Sequence, residues 1–240
     1  LVLLAFSTFV YHSKEAFSFT KFIVMRIDQI EIKTNDIQKT KAFYQNLLGL
    51  FILENDQKSI TFQAGTSILK FVEDSGFNSI YHFAFNIPAN QLEEAIQWCQ
   101  DKVDLIVLED ESVVTHFENW NAHSIYFYDY NGNLLEFIAR HDLNNEQVGE
   151  FNSASILNIS EIGIVTENPL ELGNQLIEEH GLHFFSQNTN TEKFAAIGDH
   201  HGLLILVQPT RNWYPTQIPS ESNPTEITLE NDENIINLKF

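Results

Sequence analysis

The chain has 240 residues, 43% of them hydrophobic and 20 of them phenylalanine, which is enough for a large aromatic core and too apolar for disorder. Its 33 carboxylates outnumber 13 lysines and arginines, and the formal net charge of -20 argues against nucleic acid and anionic membranes, both of which reward cations. Cys99 is the one cysteine, so an intrachain disulfide and a zinc site built on several thiolates are excluded, and a reducing, cytoplasmic setting is expected.

Residues 1–24 stand apart as a leader. Leu1 to Phe6 is apolar, but His12, Lys14 and Glu15 interrupt it well before the ~20 apolar residues of a membrane span. No basic stretch precedes it and no small-residue cleavage pattern follows, so a signal peptide is a poor reading. Met25 is the one methionine and the first strand pattern begins right behind it. The expectation is that Met25 is the natural start and the leader a start-site artefact.

From Met25 the patterns alternate strand and helix. Ile30 and Ile32 alternate with Gln29, Glu31 and Lys33, the period-two mark of a half-buried strand. Asn35 or Asp36 can cap a helix whose face is Ile37, Thr40, Phe43, Tyr44, Leu47 and Leu48, and Gly49 ends it. Leu50 to Glu54, Ser59 to Gln63 and Ser67 to Glu73 read as three strands. A second unit repeats the plan. His82 to Ile87 is a strand stopped by Pro88; Leu92, Ala95, Ile96 and Cys99 share a helix face; Leu105 to Glu109 reads as a strand. Ser124 to Tyr128 and Leu134 to Arg140 then form a hairpin around Asn131-Gly132. Residues 142–155 are polar and read as a linker. A third unit runs over residues 156–218: a strand from Ile162 to Val165, a helix from Pro169 that stops at Gly181, then strands Phe194 to Ile197 and Leu203 to Val207. Residues 219–240 supply two last strands, Glu226 to Leu229 and Ile235 to Leu238.

These units are repeats. Ile27-Asp28-Gln29, Ile80-Tyr81-His82 and Ile159-Ser160-Glu161 each open a strand with a polar, potentially ligating residue in third place. Three βαβββ units in series predict an α+β fold: tandem modules form curved mixed sheets around a concave cavity, with the helices outside and a third, degenerate module. Alternation puts His82, Ala84 and Asn86 on one strand face and Leu134, Glu136 and Ile138 on another, so Gln29, His82 and Glu136 can converge in the hollow and hold a metal ion.

The segments DIQKTKAFYQNLLGL (36–50), HFAFNIP (82–88) and YFYDYNGNLLEFIAR (126–140) resemble the vicinal oxygen chelate superfamily, which includes glyoxalases, bleomycin- and fosfomycin-resistance proteins and extradiol dioxygenases. Tyr130 stands where a proline is usual in the last motif. The resemblance covers Met25 to His141, and implies that modules one and two (25–141) pair as the functional domain. It implies metal ligands at Gln29, His82 and Glu136, with Lys70 at the place where some members add a fourth ligand. The metal would be a divalent ion (Fe, Mn, Zn, Ni or Co) that takes two neighbouring oxygens of a small-molecule substrate. Glu136 or Glu31 would move a proton, in lyase, isomerase or extradiol dioxygenase chemistry. His123, Tyr126 and Arg140 are candidates for the substrate pocket, and a homodimer is compatible with the family.

Each assignment has a plainer counterpart. A strand histidine such as His82 is often just packed. Glu136, among apolar neighbours, needs a partner, and Arg140 or Lys70 would serve as well as a metal. Glu31 can neutralise Lys33 or Lys70. His200-His201 reads as a turn. Glu161 holds the third-place position of module three, but Leu206 stands where its carboxylate partner would be, so that module is expected to pack rather than react. A metal-free protein that sequesters an antibiotic or aromatic compound is the rival reading.

Overall fold

The computed structural model describes residues 24–240; the leader and its start-site reading fall almost wholly outside them. The described strands are β1 (Met25–Thr34), β2 (Phe51–Asn55), β3 (Ser59–Ala64), β4 (Ser67–Glu73), β5 (His82–Ile87), β6 (Thr115–Phe117), β7 (Ala122–Tyr128) and β8 (Leu134–Arg140). They continue as β9 (Asn158–Val165), β10 (Phe194–Asp199), β11 (Gly202–Val207), β12 (Glu226–Asn231) and β13 (Asn234–Lys239). Helix α1 (Ile37–Lys41) runs on into a π-helical stretch, Ala42–Leu47; α2 is Leu92–Cys99 and α3 is Pro169–His180. No described helix is long and apolar enough to cross a membrane.

This is an α+β fold with a curved mixed sheet, as expected. Its strand order is β2-β3-β4-β1-β9-β5-β8-β7-β6, with β11 and β10 branching from β9, and β12 and β13 from β1. Three parallel pairs, β1–β4, β5–β8 and β9–β11, recur at the same place in each module. A parallel return needs a crossover, and each module spends its helix there.

The pairing between modules differs from the sequence expectation. Strand β9 of module three, not β1 of module one, lies antiparallel against β5. Module one instead takes β12 as its antiparallel neighbour, and β1 meets β9 at one residue pair, Ile27 with Ile159. Modules two and three thus share one hollow, while module one and the C-terminal hairpin lie on the far side of β9 in the same sheet.

Local chemistry fixes β9 between its neighbours. Residues 142–155 are a strap rather than a loose linker: Asn145 accepts from the Ala89 amide at 2.9 Å, and the Gln91 side chain donates to the Gly149 carbonyl. Phe151 is buried against Trp98 and Phe137. The chain then passes Gly65, where a Cβ would sit 1.9 Å from the Leu157 carbonyl oxygen, so a side chain there would block the entry to β9. Ser67 completes the clamp: its hydroxyl donates to the Ile27 carbonyl at 2.6 Å and accepts from the Ile159 amide at 3.0 Å.

Helix signals act largely as read. The Asp36 side chain accepts from the Lys39 amide, and Gly49 and Gly181 close their helices at φ +75 and +66. The turn at 129–133 is organised by Asp129, which accepts from the Asn131 and Asn133 amides, the Asn133 side chain and the Tyr44 hydroxyl. Gly132 has positive φ there and Asn131 does not. Leu105 to Glu109 is not a strand; Leu105 makes a single bridge to Phe127, and β6 takes the sheet edge beside β7.

The core lies between sheet and helices. Phe83, Phe85, Phe127 and Phe137 are all buried on that side, joined by Tyr44, Phe62 and Phe71 from module one. At roughly 25 cal/mol per Å² of apolar surface, these rings are a main source of stability.

Candidate metal centre

Three adjacent strands build the site. In the parallel β5–β8 ladder Ala84 lies opposite Glu136, and in the antiparallel β5–β9 ladder the same Ala84 lies opposite Glu161. A carboxylate therefore stands on each side of a methyl group, and His82, two residues away on β5, shares the face. A bulge follows at once, because Phe85 pairs with Ile159 and leaves Ser160 extra. Bulges re-aim side chains, and here Ser160 and Glu161 both reach Arg140 of β8.

The donor atoms of His82, Glu136 and Glu161 all lie within 4.8 Å of one another, and all three residues are buried. His82 Nδ1 is 3.1 Å from the Leu134 carbonyl oxygen. A carbonyl can only accept, so Nδ1 carries the proton and Nε2 keeps its lone pair. That Nε2 is 3.7 Å from Glu136 Oε2. Burial, opposed by the Leu134 bond and helped by the nearby Arg211 charge, lowers the His82 pKa to about 4, so the ring is neutral at pH 7. Burial raises the Glu136 pKa, and the Glu161 charge raises it further; the Ser124 hydroxyl, Arg140 and the Tyr126 hydroxyl pull it back. Burial also raises Glu161, against the pull of its Arg140 partner. At pH 7 Glu136 with its raised pKa holds a proton and Arg140 balances Glu161, so a cation in the hollow would take the place of that proton.

A cavity of about 250 Å³ opens over the three residues. Its walls are aromatic: Phe117, Trp120 and Tyr126 from module two, Phe194, Trp213 and Tyr214 from module three. Trp213 lies on the bare backbone of Gly163, where a Cβ would come within 2.5 Å of the indole, and its ring centre is 5.3 Å from that of His82.

The structure brings His82 and Glu136 together, sets Tyr126 in the cavity wall and puts Arg140 beneath, bonded to Glu161. It does not bring Gln29 there. Gln29 lies on β1 between Thr228 and Ile68, with β9 standing between β1 and β5. Glu31 is on the same outlying strand and is ion-paired with Lys70 at 2.8 Å, the neutralising role. In module one the position of Glu136 is thus held by an ammonium, beside Glu31 in the β1–β4 ladder. His123 is away from the cavity: its ring stacks on His116 with centroids 4.4 Å apart, and its Nδ1 is 2.8 Å from His141 Nε2. His200 and His201 form a turn and contact different carboxylates, Asp142 and Asp199.

Glu161 is the residue that sequence reasoning set aside. Its carboxylate partner comes from module two. Within module three, Leu203 lies opposite Glu161 and Ile205 opposite Gly163; Ile205 faces the cavity, while Leu206 is in the helix-side core. The third-place repeat did carry the signal, since Glu161 matches His82 and Gln29.

A mixed curved sheet of repeated modules, with a histidine and two glutamates in its hollow, defines a β-rich fold with a candidate metal site. Residues 26–137 match the model of the Glyoxalase/Bleomycin resistance protein/Dioxygenase superfamily. Over 121 residues it is 27% identical to the metallothiol transferase FosB of Staphylococcus haemolyticus, covering 48% of this chain and 83% of that protein. Glyoxalase I from Zea mays has the same fold, with a TM-score of 0.56 and 12% identity, over 88% of this chain and 75% of that one.

Proposed function

We propose that His82, Glu136 and Glu161 hold a divalent metal ion, and that the protein acts on a small molecule that chelates it through two adjacent oxygens. The observation that carries this reading is the convergence of one imidazole and two carboxylates within 4.8 Å at a cavity floor. One nitrogen and two oxygen donors suit Mn, Fe, Co, Ni or Zn. The relative's name, metallothiol transferase, agrees with metal use in the superfamily. Bound there, a divalent ion would supply Lewis acidity toward the substrate oxygens.

The chain's own residues do the rest. The Leu134 carbonyl fixes the tautomer and ring plane of His82. Arg140 and Ser160 hold the Glu161 segment in place. The Tyr126 ring and the indoles of Trp120 and Trp213 shield the site from water and offer flat faces to a planar substrate. Glu136, beside the Tyr126 hydroxyl, is the group placed to carry a proton; Glu31 is on β1, beyond β9, and is paired with Lys70. Lyase, isomerase and dioxygenase chemistry all use such an arrangement.

A second reading is favoured by one contact. Arg140 already neutralises Glu161, as a metal would, which suits a metal-free protein that binds an aromatic compound. Elemental analysis and calorimetric metal titration of the native protein, His82→Ala and Glu136→Ala separate the two. One ion per native chain, lost in both variants, supports the metal reading. No metal in the native protein, with ligand binding kept in both variants, supports sequestration.

A further inference from the structure

The cavity holds more positive hydrogen-bonding capacity than its metal reading uses. Arg211, on the loop after β11, lines the mouth with its guanidinium 4.8 Å over the Phe194 ring. Among the described residues it is ion-paired with no carboxylate, in a chain where carboxylates outnumber lysine and arginine 33 to 13. In the same wall Trp213 is 3% exposed, and its Nε1 donor is buried without a hydrogen-bond partner. An orphaned buried donor is costly, and an exposed guanidinium at the cavity mouth is open to an incoming anion. A ligand that brings an acceptor oxygen and a negative charge satisfies both.

We propose that Arg211 and Trp213 Nε1 form an anion subsite, so that the substrate is a small planar molecule carrying a carboxylate or phosphonate at the end away from its chelating oxygens. The proposal rests on the metal reading for the chelating end. A volume of about 250 Å³ is below the ~300–1,000 Å³ of pockets for drug-sized ligands, which limits the substrate to about one ring and its substituents. The six aromatic walls favour a flat ring over a sugar or a peptide. Arginine suits this end because its planar fork matches two oxygens of one acid group, and it keeps its charge at any working pH. Arg211 lines the same cavity as His82, Glu136 and Glu161, so an acid bound at Arg211 points its far end into the hollow that holds the carboxylates.

The test is calorimetric titration, under argon, of protein loaded with Mn²⁺ and of EDTA-treated protein. The probes are catechol, 3,4-dihydroxybenzoate and 3,4-dihydroxyphenylphosphonate, which share one diol and differ in the anion. The expected result is that an acid binds the loaded protein about tenfold more tightly than catechol, and that this ratio falls to about one in Arg211→Gln and drops partway in Trp213→Phe. The tighter of the two acids identifies the anion. Equal affinity for catechol and both acids in the native protein overturns the subsite, as does a ratio that survives Arg211→Gln. If the acids bind EDTA-treated protein equally well and still depend on Arg211, the subsite stands and the metal reading fails. No binding of any probe to loaded protein overturns both. Arg211 is exposed at the residue level, so Arg211→Gln is expected to fold, and a thermal melt matching the native one checks it.

Discussion

Glu136 and Glu161 pair with the same residue, Ala84, from the two strands that flank β5. With strands ~4.8 Å apart, this spacing leaves a gap the width of one small side chain between the carboxylates. The gap is where an ion would lie, so Ala84 is a condition of the site as much as its ligands are. Ala84→Leu should fill it. The expected outcome is a 10- to 100-fold loss of metal affinity by calorimetry, with the fold kept at a cost of about 1–3 kcal/mol for overpacking.

Arg140 is fully buried and paired with the buried Glu161. Removing one member of such a pair leaves a bare charge in the interior, which typically costs about 3–5 kcal/mol. Arg140→Met should therefore lower the melting temperature of metal-free protein by roughly 6–20 °C, at ~2–4 °C per kcal/mol for a chain of this size. Added metal should restore more of that loss in Arg140→Met than it adds to the native protein, because the ion replaces the missing cation. Melting curves with and without EDTA measure both effects.

Gly163 gives Trp213 its seat, and a methyl there would meet the indole at 2.5 Å. Gly163→Ala should push the indole toward His82 and narrow the cavity. A shift in tryptophan emission together with weaker ligand binding is expected. An unchanged spectrum and affinity would show that the ring has room to move.

The buried neutral ring of His82 sets a sign for acid stability. Its pKa is about 4 in the native state against 6.5 when exposed, so between those values the unfolded chain binds more protons. The contribution is fully present above pH 6.5 and is lost as the pH falls toward 4, about 2 kcal/mol by pH 5. Glu136 and Glu161, with raised pKa values, act in the opposite direction: their contribution is lost as the pH rises. Urea unfolding of metal-free protein at pH 7 and pH 5 should therefore show a smaller acid loss in His82→Gln than in the native chain. The comparison cancels the groups common to both.

Much of this architecture was legible in the residues. Ser67 to Glu73, His82 to Ile87 and Leu134 to Arg140 are strands with the expected ends, because alternation and turn residues are local signals. The face shared by His82 and Ala84 was legible for the same reason. The partner across the cavity was not. Gln29 and Glu161 hold equivalent third places, and one sequence does not say which of two equivalent strands will lie against β5. That choice is made by contacts between distant segments: Gly65 against Leu157, Ser67 bridging Ile27 and Ile159, and the strap at 142–155, whose polar side chains read as linker and serve as anchors. Leu105 to Glu109 failed for a related reason. Its pattern suits a strand, but the edge it would join is taken by β6, and Val107 is left 64% exposed.

The most direct test sets Glu161 against Gln29. Metal content per chain is measured by elemental analysis for the native protein, Glu161→Ala and Gln29→Ala after identical loading and desalting. The account predicts one ion in the native protein and in Gln29→Ala, and less than a tenth of that in Glu161→Ala. An ion retained by a folded Glu161→Ala, or lost from Gln29→Ala, would contradict it.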